Sequence, residues 1–203
     1  MNKFFSKGLF RYKRRESHTV NIGSSAIGGK NPIRIQSMTT ADTMDTNSTV
    51  EQTIRMVNSG CELVRITAPS IGAAKNLSNI KSELLKKGYN VPLIADIHFT
   101  PKAAEISAEI VEKVRINPGN YSDTKKFKLI DYDDKTYNEE IERIYDRVSP
   151  LIKICKNNGT AMRIGTNHGS LSDRILSRFG DTPKGMVESA LEYLRICEDH
   201  NFY

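Results

Sequence analysis

Val114-Arg115-Ile116-Asn117-Pro118-Gly119-Asn120 is the stretch on which the fold turns. Side chains alternate across a β-strand, so Val114 and Ile116 share one face while Arg115 and Asn117 share the other. Such a strand is covered by helix on one side and opens onto something polar on the other. The pattern returns in Val64-Arg65-Ile66-Thr67 and in Met162-Arg163-Ile164-Gly165. A fourth run, Ala95-Asp96-Ile97-His98, puts Asp96 and His98 on the equivalent face. Amphipathic helical stretches lie between the runs, so the chain reads as repeated strand–helix units with a parallel sheet and right-handed crossovers.

Two architectures satisfy that repeat. An open doubly wound sheet covers both faces with helices, and each of the three strand arginines would need its own buried partner. A (β/α)8 barrel turns one face of every strand toward a shared lumen and collects its chemistry at the C-terminal strand ends. The expected fold is therefore α/β, a TIM-type (β/α)8 barrel of which this chain supplies about the first five β/α units. Strands are expected over residues 33–37, 63–67, 92–98, 113–117 and 161–165, after a hairpin beginning at Val20. Ser48-Thr49-Val50-Glu51 has the form of a capping box. Thr100-Pro101 and Thr182-Pro183 set a capping hydroxyl before a first-turn proline. Gly60, Gly88 and Gly159 stand where helices close in a left-handed residue. The longest helix is expected over about residues 136–158, with Ile141, Ile144, Tyr145, Val148, Leu151, Ile152 and Cys155 on its core face. The charged segment 123–135 before it reads as an insertion on the rim.

The composition narrows the function classes. The chain has 203 residues, 38% of them hydrophobic and 27% charged, and a formal net charge of +6; its mean hydropathy is −0.47. No apolar run is long enough for a membrane span. Residues 1–19 form a basic arm, with Lys3, Lys7, Arg11, Lys13, Arg14 and Arg15. The arm lacks a signal-peptide core and any accompanying nucleic-acid motif, so a cytoplasmic protein without nucleic-acid partners is expected. Cys61, Cys155 and Cys197 are an odd, widely spaced set that matches no disulfide or cluster motif, and all three read as buried small hydrophobes.

Three arginines at equivalent strand positions point to one anionic ligand more than to three separate ion pairs, because a guanidinium fits phosphate oxygens two at a time and stays charged when desolvated. A structural pairing with Asp96 or Glu62 is the bland alternative. The turns Asn117-Pro118-Gly119-Asn120 and Asn167-His168-Gly169-Ser170 add amide and hydroxyl donors suited to an oxyanion. His98 is expected to face the lumen as a hydrogen-bond donor beside Asp96; a lone Asp-x-His is a poor metal site.

Five ordered segments, Gln36-Ser37-Met38-Thr39, Gly60 to Arg65, Ala95 to Phe99, Arg115 to Asn120 and Arg163 to Leu171, resemble the 4-hydroxy-3-methylbut-2-enyl diphosphate synthase family. Its members are iron–sulfur enzymes of the methylerythritol phosphate route to isoprenoids. The stretch 171–197 resembles the larger, three-domain branch. The resemblance implies an oxidoreductase that opens and reductively dehydrates 2-C-methyl-D-erythritol 2,4-cyclodiphosphate. It implies that Arg65, Arg115, Asn117, Arg163, Asn167 and Ser170 hold the diphosphate and that Asp96 and His98 face the reacting end. A [4Fe–4S] cluster, a ferredoxin or flavodoxin as electron donor, and a homodimer are implied for the full-length enzyme. None of the three cysteines falls in the family's cluster motif, and five strands do not close a barrel. An N-terminal portion that lacks the cluster domain, binds no cluster and is inactive alone is therefore expected. The alternatives are a phosphate-binding barrel without redox chemistry and a pterin-binding barrel such as dihydropteroate synthase.

Overall fold

The computed structural model describes residues 16–122 and 132–203. Most of the basic arm and most of the charged insertion lie outside the described residues. The chain opens with a hairpin, β1 (Val20–Ile22) and β2 (Ser25–Ile27). Then follow β3 (Gln36–Met38), α1 (Thr46–Asn58), β4 (Leu63–Thr67), α2 (Ile71–Lys86), β5 (Leu93–Asp96), α3 (Pro101–Ala108) and β6 (Lys113–Ile116). A single helical turn, α4 (Pro118–Tyr121), and the long α5 (Asp134–Asn158) lead to β7 (Ala161–Ile164). A 3-10 turn (His168–Ser170), α6 (Asp173–Phe179) and α7 (Pro183–Asp199) complete the chain.

Strands β3 to β7 pair in parallel, each beside the next in sequence. A doubly wound sheet would reverse its strand order at a switch point; this one does not. The main core lies on one side of the sheet only. Val64, Ile66, Ala95, Ile97, Val114 and Ile116 pack there against Leu77, Ile80 and Leu84 of α2, Ala104 of α3, Ile144, Val148 and Ile152 of α5, and Ile196 of α7. That one-sided covering is the wall of a partial TIM-type barrel. The opposite face bounds the lumen, and its lower end is plugged by Ile22, Leu63, Ile94 and Ala161, with Val20 and Ile27 of the hairpin against them.

Local signals held at some ends and failed at others. Gly60, Gly88 and Gly159 all take positive φ after their helices. Thr182 caps α7 by accepting from the Gly185 N–H at 3.1 Å. The capping box at Ser48 to Glu51 is corrected: α1 starts earlier, and its cap is Asp45, whose carboxylate accepts from Ser48 N at 3.0 Å and Ser48 Oγ at 2.6 Å. A carboxylate there meets the free N–H groups and the positive end of the helix dipole together, which a hydroxyl does less well. Thr100 makes no side-chain cap bond, so the start of α3 rests on Pro101. The first barrel strand is shorter than expected. Ile33 and Ile35 are exposed, and Arg34 is instead tied to Glu62 at 2.6 Å and to the Ala26 carbonyl at 2.9 Å. Asn117 to Asn120 forms a helical turn where an open turn was expected.

At the other end of the sheet, Arg174 and Glu192 join α6 to α7 through two parallel hydrogen bonds of 2.5 and 2.8 Å, both side chains almost fully buried. Tyr137 of α5 donates its hydroxyl to the same carboxylate, and Arg174 and Arg178 stack on its ring. Burial and the adjoining carboxylate push the Tyr137 phenol well above its ordinary range, so it stays a donor. Tyr137→Phe should cost about 1.5–3 kcal/mol, the worth of a buried hydrogen bond to a charged group, measured by denaturant unfolding.

Candidate functional site: a cation-lined barrel lumen

Strand register places the lumen groups. Thr67 pairs with Asp96, Asp96 with Arg115 and Arg115 with Arg163, so these four stand in one row across β4 to β7. Arg65, Ile94, Lys113 and Ala161 form the row beneath. Because the side-chain period is two, every member of both rows faces inward. The expected convergence of Arg65, Asp96, Arg115 and Arg163 is what the structure has.

Asp96 is at the centre and fully buried. One carboxylate oxygen takes Arg65 Nη2, and the other takes Arg115 Nη1 at 3.0 Å. Arg115 also donates Nη2 to the Gly165 carbonyl at 2.5 Å, which ties β6 to the end of β7. Gly165 is what lets it do so: a Cβ there would stand 1.9 Å from Arg115 Nε. The arginine occupies the space that any other residue at 165 would fill with its own side chain. Glu62, the other carboxylate considered for these arginines, faces away and serves Arg34.

The bland reading is thus right for part of the set: Arg65 and Arg115 have a structural counter-charge, and they share it. Arg163 has none among the described residues. Arg163 is exposed toward the mouth of the lumen, yet desolvation of its inner part and the nearby Arg65 and Arg115 guanidinium groups press its pKa down from the ordinary arginine value. Lys113, which the sequence reading passed over, is also inward and 7% exposed. Burial first, then Arg163 and Arg65, push its ammonium below the usual lysine range. Four cations therefore meet one carboxylate. Two donors, Arg65 Nε and Arg115 Nε, are buried without an acceptor.

His98 stands above this row, its Nε2 3.9 Å from Asp96 Oδ2 and its side chain partly exposed, beside the exposed ring of Phe99. That is too far for a hydrogen bond, so the imidazole is left without a bond to the carboxylate and faces the mouth of the lumen. The loops above β6 and β7 are joined directly. Asn117 Nδ2 donates to Ser170 Oγ at 2.8 Å, and Oγ lies 3.1 Å from Asn117 Oδ1. Gly119 permits this contact, since a Cβ there would fall 1.6 Å from the Ser170 carbonyl oxygen. Tyr193 of α7 holds the same turn by donating to the Pro118 carbonyl at 3.0 Å. Asn167 is exposed and turned onto its own loop, where its Oδ1 accepts from Gly169 N at 3.0 Å. Ser170→Ala should loosen the two loops at a cost of about 0.5–1.5 kcal/mol, read from unfolding, and should raise the hydrogen exchange of residues 117–120.

The residues present do not fit an iron–sulfur cluster. Cys61, Cys155 and Cys197 are free and buried. Burial pushes the Cys155 thiol up to about 12 and the Cys197 thiol to about 11, far from the thiolate a metal requires. Among the described residues no three His, Cys, Asp or Glu side chains gather as a metal site. No helix among them is long and apolar enough to cross a membrane.

Comparison with known proteins shows which family the chain resembles. The chain is 57% identical over 195 residues to a 4-hydroxy-3-methylbut-2-en-1-yl diphosphate synthase (flavodoxin) of Bacteroides thetaiotaomicron, covering 96% of this chain and 32% of that protein. A protein of the same name from Leptospira interrogans is 55% identical over 203 residues, all of this chain and 31% of its own. One from Akkermansia muciniphila is 50% identical over 203 residues, covering 35% of its length. The chain spans about a third of the length of the curated relatives it matches. The GcpE TIM-barrel domain model matches residues 17–203, and the chain belongs to that family.

Proposed function

We propose that the protein carrying this chain is a 4-hydroxy-3-methylbut-2-enyl diphosphate synthase and that this segment forms its diphosphate site. The observation that carries the reading is the lumen's surplus of positive charge: Arg65, Arg115, Arg163 and Lys113 around the single carboxylate of Asp96. A dianionic ligand would relieve that surplus and give Arg163 the partner it lacks. The names of relatives that are more than half identical to this chain over the aligned residues support the same substrate class.

In this reading 2-C-methyl-D-erythritol 2,4-cyclodiphosphate enters past His98 and Phe99. Its phosphoryl oxygens lie against Arg115 and Arg163, and Asn117, Asn167 and Ser170 offer uncharged donors at the rim. Asp96 keeps Arg65 and Arg115 in fixed rotamers, so little reorganisation is left for the moment of binding. His98 stands over the carbon skeleton, placed to donate a hydrogen bond as the ring opens. A [4Fe–4S] cluster, held by residues outside this segment, would supply the two electrons of the reductive dehydration, and flavodoxin would be the donor, as the relatives' names state for them. Dimerisation and a cytoplasmic location belong to the same proposal. The pterin-barrel alternative gains no support from relatives of these names.

Turnover tests this. The full gene product, anaerobically reconstituted and given reduced flavodoxin, should convert the cyclodiphosphate to 4-hydroxy-3-methylbut-2-enyl diphosphate. Tight binding of the cyclodiphosphate without reduction would leave a binding barrel, and no binding at all would reject the site.

A further inference from the structure

The floor of the lumen holds a lysine that the described fold gives nothing to pair with. Lys113 opens β6 on the same face as Arg115 and Asn117, and its register neighbours are Ile94 of β5 and Ala161 of β7. Both belong to the apolar plug that Ile22 and Leu63 complete, so the ammonium has no exit downward to water. The adjacent carboxylate, Glu112, is engaged elsewhere: Lys81 takes it at 2.6 Å, and it accepts from Leu93 N at 2.8 Å. Asp96 is divided between Arg65 and Arg115. The charges that act on Lys113 are the cations Arg163 and Arg65, and its residue is 7% exposed.

Holding an unpaired ammonium largely out of water among other cations is costly, and a lysine is readily replaced by an apolar residue where only packing is needed. Its presence calls for a counter-charge that arrives from outside. The Lys113 Cα lies two strand residues, about 6.6 Å, below the row of Arg115 and Arg163, a distance its four-carbon stem covers. The ammonium therefore approaches a ligand from beneath, where the arginines approach from the wall.

We propose that Lys113 is a specificity-determining residue of the lumen: it binds the inner of two linked phosphoryl groups while the arginines hold the outer one, so that the site takes diphosphates over monophosphates. The assignment rests on the lumen being an anion site, as argued above, and goes beyond it by naming the group that distinguishes one phosphoryl unit from two.

Calorimetry of the full gene product with inorganic pyrophosphate and with orthophosphate tests it, for the wild type, Lys113→Met and Arg163→Met. Methionine keeps the unbranched stem and removes the charge. Lys113→Met should weaken pyrophosphate binding about 10- to 100-fold, the worth of one charge-assisted hydrogen bond, and should affect orthophosphate much less. It should also raise the melting temperature of the ligand-free protein, because an unpaired and poorly solvated charge is gone. A Lys113→Met protein that binds pyrophosphate as the wild type does would overturn the proposal. So would one that melts lower or does not fold, since the lysine would then be structural. Arg163→Met separates the two levels of the argument. Pyrophosphate binding weakened by Arg163→Met and untouched by Lys113→Met removes the lysine assignment alone. A wild type that binds neither ion removes the anion site itself.

Discussion

Asp96→Ala should destabilise the barrel segment by about 3–5 kcal/mol, the cost of stranding buried cations that had a shared counter-charge. Asp96 is fully buried, Arg115 nearly so, and both arginines lose in one step the only carboxylate they have among the described residues. Asp96→Asn should cost less, because the amide oxygen still accepts one hydrogen bond. Chemical denaturation followed by far-UV circular dichroism measures both. If the carboxylate supplies part of the negative charge that a ligand completes, saturating pyrophosphate should recover more stability in Asp96→Ala than in the wild type. An Asp96→Ala protein as stable as the wild type, and no more responsive to pyrophosphate, would mean that the arginines are not held as described.

Gly165→Ala adds one methyl group and should cost the full-length enzyme roughly 100-fold in kcat/KM, of the size expected when a catalytic constellation is displaced by about 1 Å. The new Cβ would stand 1.9 Å from Arg115 Nε, so the guanidinium must leave its place. With it go the bonds to the Gly165 carbonyl and to Asp96. Gly165 does not carry a positive φ, so the backbone itself tolerates alanine, and the harm travels through Arg115. Kinetics distinguish this from general damage. In an Arg115→Ala background the extra methyl has nothing to displace, so the two substitutions should be strongly non-additive. Additive losses would mean that residue 165 acts by some other route.

Much of this architecture was legible in the chain because two periodicities agree. The period-two runs at residues 64–67, 95–98, 114–117 and 162–165 put Arg65, Asp96, Arg115 and Arg163 on one face by alternation alone, and the structure has them in adjacent rows. Glycine helix ends were equally readable, since a left-handed residue at a helix end leaves few other choices. Four things were not read. The start of α1 at Asp45 depended on which of several polar residues wins the cap, a contest that local pattern does not settle. The sharing of one carboxylate by Arg65 and Arg115 is a tertiary fact: alternation tells which face a side chain takes, not which neighbour it reaches. Lys113 was passed over because a lysine at a strand start usually reaches solvent. The signal was present in its even spacing from Arg115 and Asn117, but the plug that closes its way out comes from the hairpin, far away in sequence. The ion pair of Arg174 and Glu192 was missed for a similar reason, since its partners lie on different helices.

The arrangement also explains how a site so rich in positive charge stays folded without its ligand. One carboxylate fixes two guanidinium groups, a glycine makes room for one of them, and the loop pair of Asn117 and Ser170 is held by a buried tyrosine of α7. Arg163 and Lys113 are left for the guest.

A crystal structure of the full gene product with 2-C-methyl-D-erythritol 2,4-cyclodiphosphate bound is the most direct test of that claim. Both phosphorus atoms should lie inside the lumen, with phosphoryl oxygens within hydrogen-bond distance of the Arg115 and Arg163 guanidinium groups. Phosphoryl groups seated elsewhere, with Arg163 still turned to solvent and the lumen filled only by water, would contradict it.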